Sequence, residues 1–150
     1  MAVDRDRALA LTLDPLVVDL ERGRLRRFAA AIGETDPIYL NVEAARAAGY
    51  RDVVAMPTYM FSIELESPVP FAFLLDLDID LSAVLHGEQA FSYHAPIYAG
   101  DTITVTRRII DVTAKTLTMD FVVKHSKFFC DGDLVGEAEG LTIVRSAVAA

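Results

Sequence analysis

The stretch from Thr102 to Arg145 reads TITVTRRIIDVTAKTLTMDFVVKHSKFFCDGDLVGEAEGLTIVR and is strand material almost throughout. Val, Ile, Thr and Phe dominate it, and apolar and polar residues alternate along most of its length, the period of a half-buried strand. Thr102–Val112 alternates through Ile103 and Val105 and slips phase at Arg107-Arg108, which predicts a bulge. Thr116–Phe129 places Leu117, Met119, Phe121 and Val123 inward and Thr118, Asp120 and Lys124 outward. Asp131-Gly132 is a two-residue hairpin signal, so Leu134–Arg145 returns antiparallel. Upstream, Leu85–His94 is one more strand, followed by a turn region over Pro96–Asp101. The expectation is a four-strand antiparallel meander.

Before residue 80 the period is helical. Leu25, Phe28, Ala29 and Ile32 share one face of a helix over Arg22–Ile32, which Gly33 ends. Asn41 caps a short helix, Val42–Ala48, stopped by Gly49. Met56-Pro57-Thr58 opens an apolar helix through Tyr59, Met60 and Ile63, with a break near Ser67 imposed by Pro68 and Pro70 and resumption over Phe71–Leu75. Leu16–Leu20 fits a short strand or the approach to a helix. Residues 1–15 carry mixed charge and are expected to be a mobile lead-in. A sheet with one apolar face needs a cover, and the helix at 57–75 is the candidate large enough. The class is α+β, in one domain spanning residues 1–150.

Composition narrows the partners. A formal net charge of −8 repels phosphate backbones and anionic membranes, so neither nucleic acid nor a membrane is expected to bind. The run Val69–Leu75 is too short to span a bilayer, and the charged start Met1–Arg7 does not read as a signal peptide. One cysteine, Cys130, allows no intrachain disulfide, in keeping with a reducing, cytoplasmic compartment. The three His and one Cys lack the close spacings of zinc sites, and no metal or cofactor is expected.

Three blocks carry a resemblance. They are Phe28–Ala45, containing Gly33-Glu34-Thr35-Asp36-Pro37-Ile38-Tyr39; Ala55–Phe61; and Leu85–Asp101. In this order and spacing they resemble the MaoC-like enoyl-thioester hydratases and 3-hydroxyacyl dehydratases. The match is to the N-terminal-type hot-dog subunit, in which an antiparallel sheet wraps a long central helix. The resemblance implies reversible addition of water to a trans-2-enoyl thioester carried on coenzyme A or acyl carrier protein. In that family an Asp and a His on the hydratase loop hold and activate water, and a backbone N–H at the start of the central helix polarises the thioester carbonyl. Such chemistry is sound: charge develops on that oxygen, and an acid–base pair beside one water makes the proton transfers.

This chain departs from the pattern at the loop. Glu34 stands at the Asp position, Asp36 at the Asn position and Tyr39 at the His position. A phenol with an ordinary pKa near ~10 is a poor base at neutral pH. The resemblance therefore implies a degenerate subunit, forming a homodimer or a heterodimer with an intact MaoC-like partner. The seam is expected at the Leu85–His94 edge strand. Catalytic candidates are Glu34, Tyr39 and His86, which shares a strand face with Glu88 as an acid–base pair or as a structural contact. Substrate-binding candidates are Asp36, Met56, Pro57, Thr58, Tyr59 and Phe61. Two other readings stay open: a hot-dog acyl-CoA thioesterase using Glu64 or Glu66, and a non-catalytic acyl-thioester-binding subunit.

Overall fold

The computed structural model describes residues 3–146. Five strands form one antiparallel sheet: β1 (Leu16–Asp19), β2 (Val84–Tyr93), β3 (Thr102–Thr116), β4 (Met119–Cys130) and β5 (Asp133–Arg145), in the order β1-β3-β4-β5-β2. The β4–β5 turn is built as its sequence demands, with Asp131 at φ 51° and Gly132 at φ 89°. The helices α1 (Arg5–Ala10), α2 (Arg22–Ala31), α3 (Val42–Ala47), α4 (Tyr59–Leu65) and α5 (Ala72–Leu75) precede β2, apart from the insertion of β1 between the first two. The architecture is the α+β hot-dog arrangement.

Five expectations are corrected. The strands are not a simple four-strand meander: β3, β4 and β5 run up and down, but β2 pairs with β5, from Val84↔Val144 to Tyr93↔Gly136. The segment after β2 crosses to β3 along the end of the sheet, tied to 53–55 by Ala55 N–H to the Ile97 carbonyl and Ala99 N–H to the Val53 carbonyl, both 2.9 Å. The central helix is shorter than expected, although it breaks near Ser67 and resumes at α5 as the prolines predict. Only 7 residues form α4 before Ser67–Pro70 breaks the chain, since neither proline can donate to a helical ladder.

The inward face of β4 is the opposite of the expected one. Asp120, Val122, Ser126 and Phe128 are buried, whereas Leu117 is 97% exposed in the preceding turn. Apolar residues occupy both faces of this strand, so alternation alone misplaces it. Two of the even-numbered polar groups find partners inside: Lys124 Nζ pairs with Glu64, and Asp120 Oδ2 accepts the Val3 N–H at 2.9 Å, whereas the buried Ser126 hydroxyl has no hydrogen-bond partner among the described residues. Register shifts in β3 fall at Ile109/Asp111 and Ala114/Thr116, beyond the expected Arg107-Arg108 site.

The lead-in is packed from residue 3 onward; its first two residues lie outside the described range. Val3 and Ala8 are buried, and the Arg7 guanidinium bonds Asp78 at 2.7 Å. The core has two halves. Under α4, Tyr59, Met60 and Ile63 meet Ile103, Val105, Phe128 and Ala138. Under α5 and α1, Phe73, Leu74 and Ala8 meet Ile109, Val122 and Val144. Lys124 lies on β4 between the two sets. Among the described residues no helix is long and apolar enough to cross a membrane.

Candidate functional site

A cavity of about 410 Å³ opens where the loop after α2, the start of α4 and the end of β2 converge. Its walls include Ile38, Tyr39, Met56, Pro57, Met60 and Tyr93. The loop is held by its own carboxylates. Glu34 Oε1 accepts the N–H of Thr35 at 2.7 Å and of Asp36 at 2.8 Å. Asp36 Oδ1 accepts the Ile38 N–H at 3.1 Å and caps the single turn Pro37–Tyr39. Val54 N–H then bonds the Ile38 carbonyl at 3.2 Å, which sets Tyr39 at the cavity. Burial first, then the charges of Asp36 and Glu34, push the Tyr39 phenol above its ordinary value. It keeps its proton at neutral pH, so its hydroxyl retains the capacity to donate.

The sequence-derived candidates are divided by the fold. Tyr39, Met56 and Pro57 meet at this cavity. Glu34 and Asp36 brace the loop beside it. Thr58 is exposed at the helix start and makes no side-chain cap bond. Tyr59 lies in the core at 4% exposure, its ring edge-on to Phe28 at 5.2 Å, and lines neither this cavity nor the next. Phe61 and His86 stack face to face at 5.3 Å in a second cavity of about 300 Å³, on the α5 side of the sheet. Tyr50, Met60 and Tyr93 also line the first cavity, and none of the three was among the substrate-binding candidates. The alternation Phe91, Tyr93 on one strand face was a usable signal for the last of these.

The segment that delivers Val54–Pro57 is clamped to α2. Asp52 accepts Arg22 Nε at 2.9 Å and Nη2 at 2.7 Å, with the Val53 N–H at 2.8 Å. The Arg22 bond, opposed by desolvation, holds the Asp52 carboxyl down at about 2. A depressed folded-state value stabilises the protein above the ordinary carboxylate range, and that contribution is lost as pH falls toward 2. Asp52→Asn is therefore expected to cost about 1 kcal/mol at neutral pH, a figure reduced for the solvent-exposed Arg22. The gap from the native protein should close in acid, as read from urea midpoints at the two pH values.

Other titratable groups have structural employment. Glu64 is ion-paired with Lys124 and Glu66 with Arg24. His94 and His125 both meet Glu137, at 3.1 and 3.4 Å. Burial, then Asp101 and Asp131, raise the Cys130 thiol, which disfavours the nucleophilic thiolate. Among the described residues no group of three or more His, Cys, Asp or Glu is placed to hold a metal ion.

Residues 10–137 match the family described as FAS1-like, dehydratase domain region. The chain belongs to this family. A UPF0336 protein of Streptomyces griseus is 45% identical over 91 residues, so the match spans 61% of that relative's length. The HadBC complex of Mycobacterium tuberculosis, described as a 3R-hydroxyacyl-ACP dehydratase, has a chain that superimposes with a TM-score of 0.74 at 27% identity, over 89% of this chain and 99% of that one. A MaoC-like dehydratase shares the fold, with a TM-score of 0.77 at 20% identity over 91% of this chain and 41% of that one. The chain thus has the MaoC-like hot-dog fold, with a phenol where the resemblance expects a loop imidazole.

Proposed function

We propose that the chain is a subunit of an acyl-thioester hydro-lyase that interconverts trans-2-enoyl and 3-hydroxyacyl thioesters of coenzyme A or acyl carrier protein, the acid–base work falling to an intact hot-dog partner. The observation that carries this reading is the first cavity. It joins the hydratase-loop position to the start of α4, yet Tyr39, held protonated, offers no base. Its apolar walls suit an acyl chain, and the Tyr39 hydroxyl is a donor for a carbonyl oxygen. In the reaction, water oxygen bonds to C3 while its proton passes to the partner's base. The double-bond electrons move onto the thioester oxygen, and a proton then returns to C2.

The edge of the sheet supports a paired assembly. Among the described residues the outer side of β2 is unpaired, and Leu85 and Tyr93 are 45% and 50% exposed along it. The similar HadBC protein is likewise a complex of two subunits. The thioesterase reading loses ground because Glu64 and Glu66 are each engaged by a cation, Lys124 and Arg24, rather than set beside the first cavity.

The experiment is hydration of crotonyl-CoA. The purified chain alone should turn over far below the ~10 per second median of enzymes. The tagged chain isolated with its natural partner should hydrate it at ordinary enzymic rates. Failure of the isolated complex would remove the hydro-lyase assignment, and release of free thiol instead would replace it with thioester hydrolysis. Fast hydration by the chain alone would remove the partner requirement.

A further inference from the structure

We propose that the second cavity receives the far end of the acyl chain, and that Lys124 makes it selective for chains that carry an oxygen acceptor there. This rests on the acyl-thioester reading above and specifies its substrate class. The two cavities border the same elements. Met60 of α4 lines the first and the adjacent Phe61 lines the second. Along β2, Tyr93 belongs to the first cavity and Gln89 to the second, about 13 Å apart at the rise of a strand. Phe91 lies between them, stacked on Tyr93 at 5.9 Å. A chain whose thioester sits at Tyr39 and Pro57 and which follows this strand ends among Phe61, Phe71 and Phe73.

The chemistry of that end is unusual. Three phenyl rings and several leucines form the walls, yet Lys124 is among the lining residues, with His86, Gln89 and Thr142. The Lys124 side chain is only 14% exposed, and its ammonium stands 5.2 Å from the Phe73 ring centroid. An ammonium has three N–H donors. Its ion pair with Glu64 is a single contact to Oε2, so an ammonium with three donors has capacity left for a ligand in the cavity it lines. A buried ion pair between two apolar clusters stabilises a fold weakly at best, so its place here is not explained by packing. A donor cation in an aromatic chamber has a use if the ligand brings an acceptor: a keto or hydroxyl oxygen gains a charge-assisted bond away from competing water.

The test is equilibrium binding of saturated acyl-pantetheine thioesters, which cannot be hydrated and present the arm common to coenzyme A and acyl carrier protein. Calorimetry would compare butyryl-pantetheine, decanoyl-pantetheine and the decanoyl chain bearing a ketone next to its terminal methyl. The keto chain should bind about tenfold tighter than the plain chain, and the plain chain tighter than butyryl. In the double variant Lys124→Met/Glu64→Gln, which leaves no orphaned charge, the keto preference should vanish while decanoyl still binds. Equal binding of keto and plain chains by the native protein would overturn the proposal with no variant needed. So would decanoyl binding no tighter than butyryl, or a keto preference that survives in the double variant. In each of these cases thioester binding itself stands. Failure of all three ligands to bind would instead remove the acyl-thioester reading and this proposal with it.

Discussion

Lys124→Met alone is expected to lower stability by about 3–5 kcal/mol, whereas Lys124→Met combined with Glu64→Gln should cost far less than the single change. Glu64 is 4% exposed on α4 and is paired with the Lys124 ammonium. Removing the cation leaves a buried carboxylate on α4 without its compensating charge, and a buried unpaired charge is among the largest single destabilisers known. Neutralising both members trades an ion pair for an amide and a thioether of similar volume. Urea unfolding of the native protein, both single variants and the double variant forms a complete cycle. A double variant whose cost equals the sum of the two single costs would mean that the two side chains do not depend on each other, against the geometry.

That ion pair also shows where sequence reading succeeds and fails. Strands β3, β4 and β5 were legible because β-branched and aromatic residues alternate for many residues and Asp131-Gly132 admits little else but a tight turn. The face of β4 was not legible. Phe121 and Val123 on one side are as apolar as Val122 and Phe128 on the other, and Lys124 and Asp120 read as solvent-facing. Only a partner far along the chain, Glu64 for one and Val3 for the other, makes those positions interior. The pairing of β2 with β5 was hidden for the same reason: neighbours in a sheet are fixed by packing across α4, which no local period encodes.

The site followed a similar division. Tyr39, Met56 and Pro57 lie together at one cavity because short loops carry them there: a turn capped by Asp36 and a strap clamped by Asp52 and Arg22. Phe61 and His86 were also candidates but line the other cavity: Phe61 because successive residues on α4 point to different sides, and His86 because it stacks on Phe61 from the start of β2. Tyr50 could not be placed by pattern at all. It follows the stop at Gly49, and its position depends on how the chain beyond α3 is tied back to the sheet.

Tyr59 carries the sharpest separation between a lining residue and a core residue. Its ring sits edge-on to Phe28 and packs in the cluster with Ile63, Val105 and Phe128, and burial pushes its phenol above the ordinary value. Tyr59→Ala is therefore expected to cost about 3–5 kcal/mol, the sum of lost burial and the hollow left under α4. For a domain of this size that is a drop of roughly 10 °C or more in Tm. Chain-length preference among acyl-pantetheine thioesters should stay unchanged in the fraction that remains folded, because the side chain lines neither cavity. Met56→Ala is the contrasting control. Its side chain is half-buried at the first cavity, so it should alter thioester binding with a smaller fall in Tm. A Tyr59→Ala protein that melts near the native temperature but binds a different range of chain lengths would move this side chain from the core to the cavity wall.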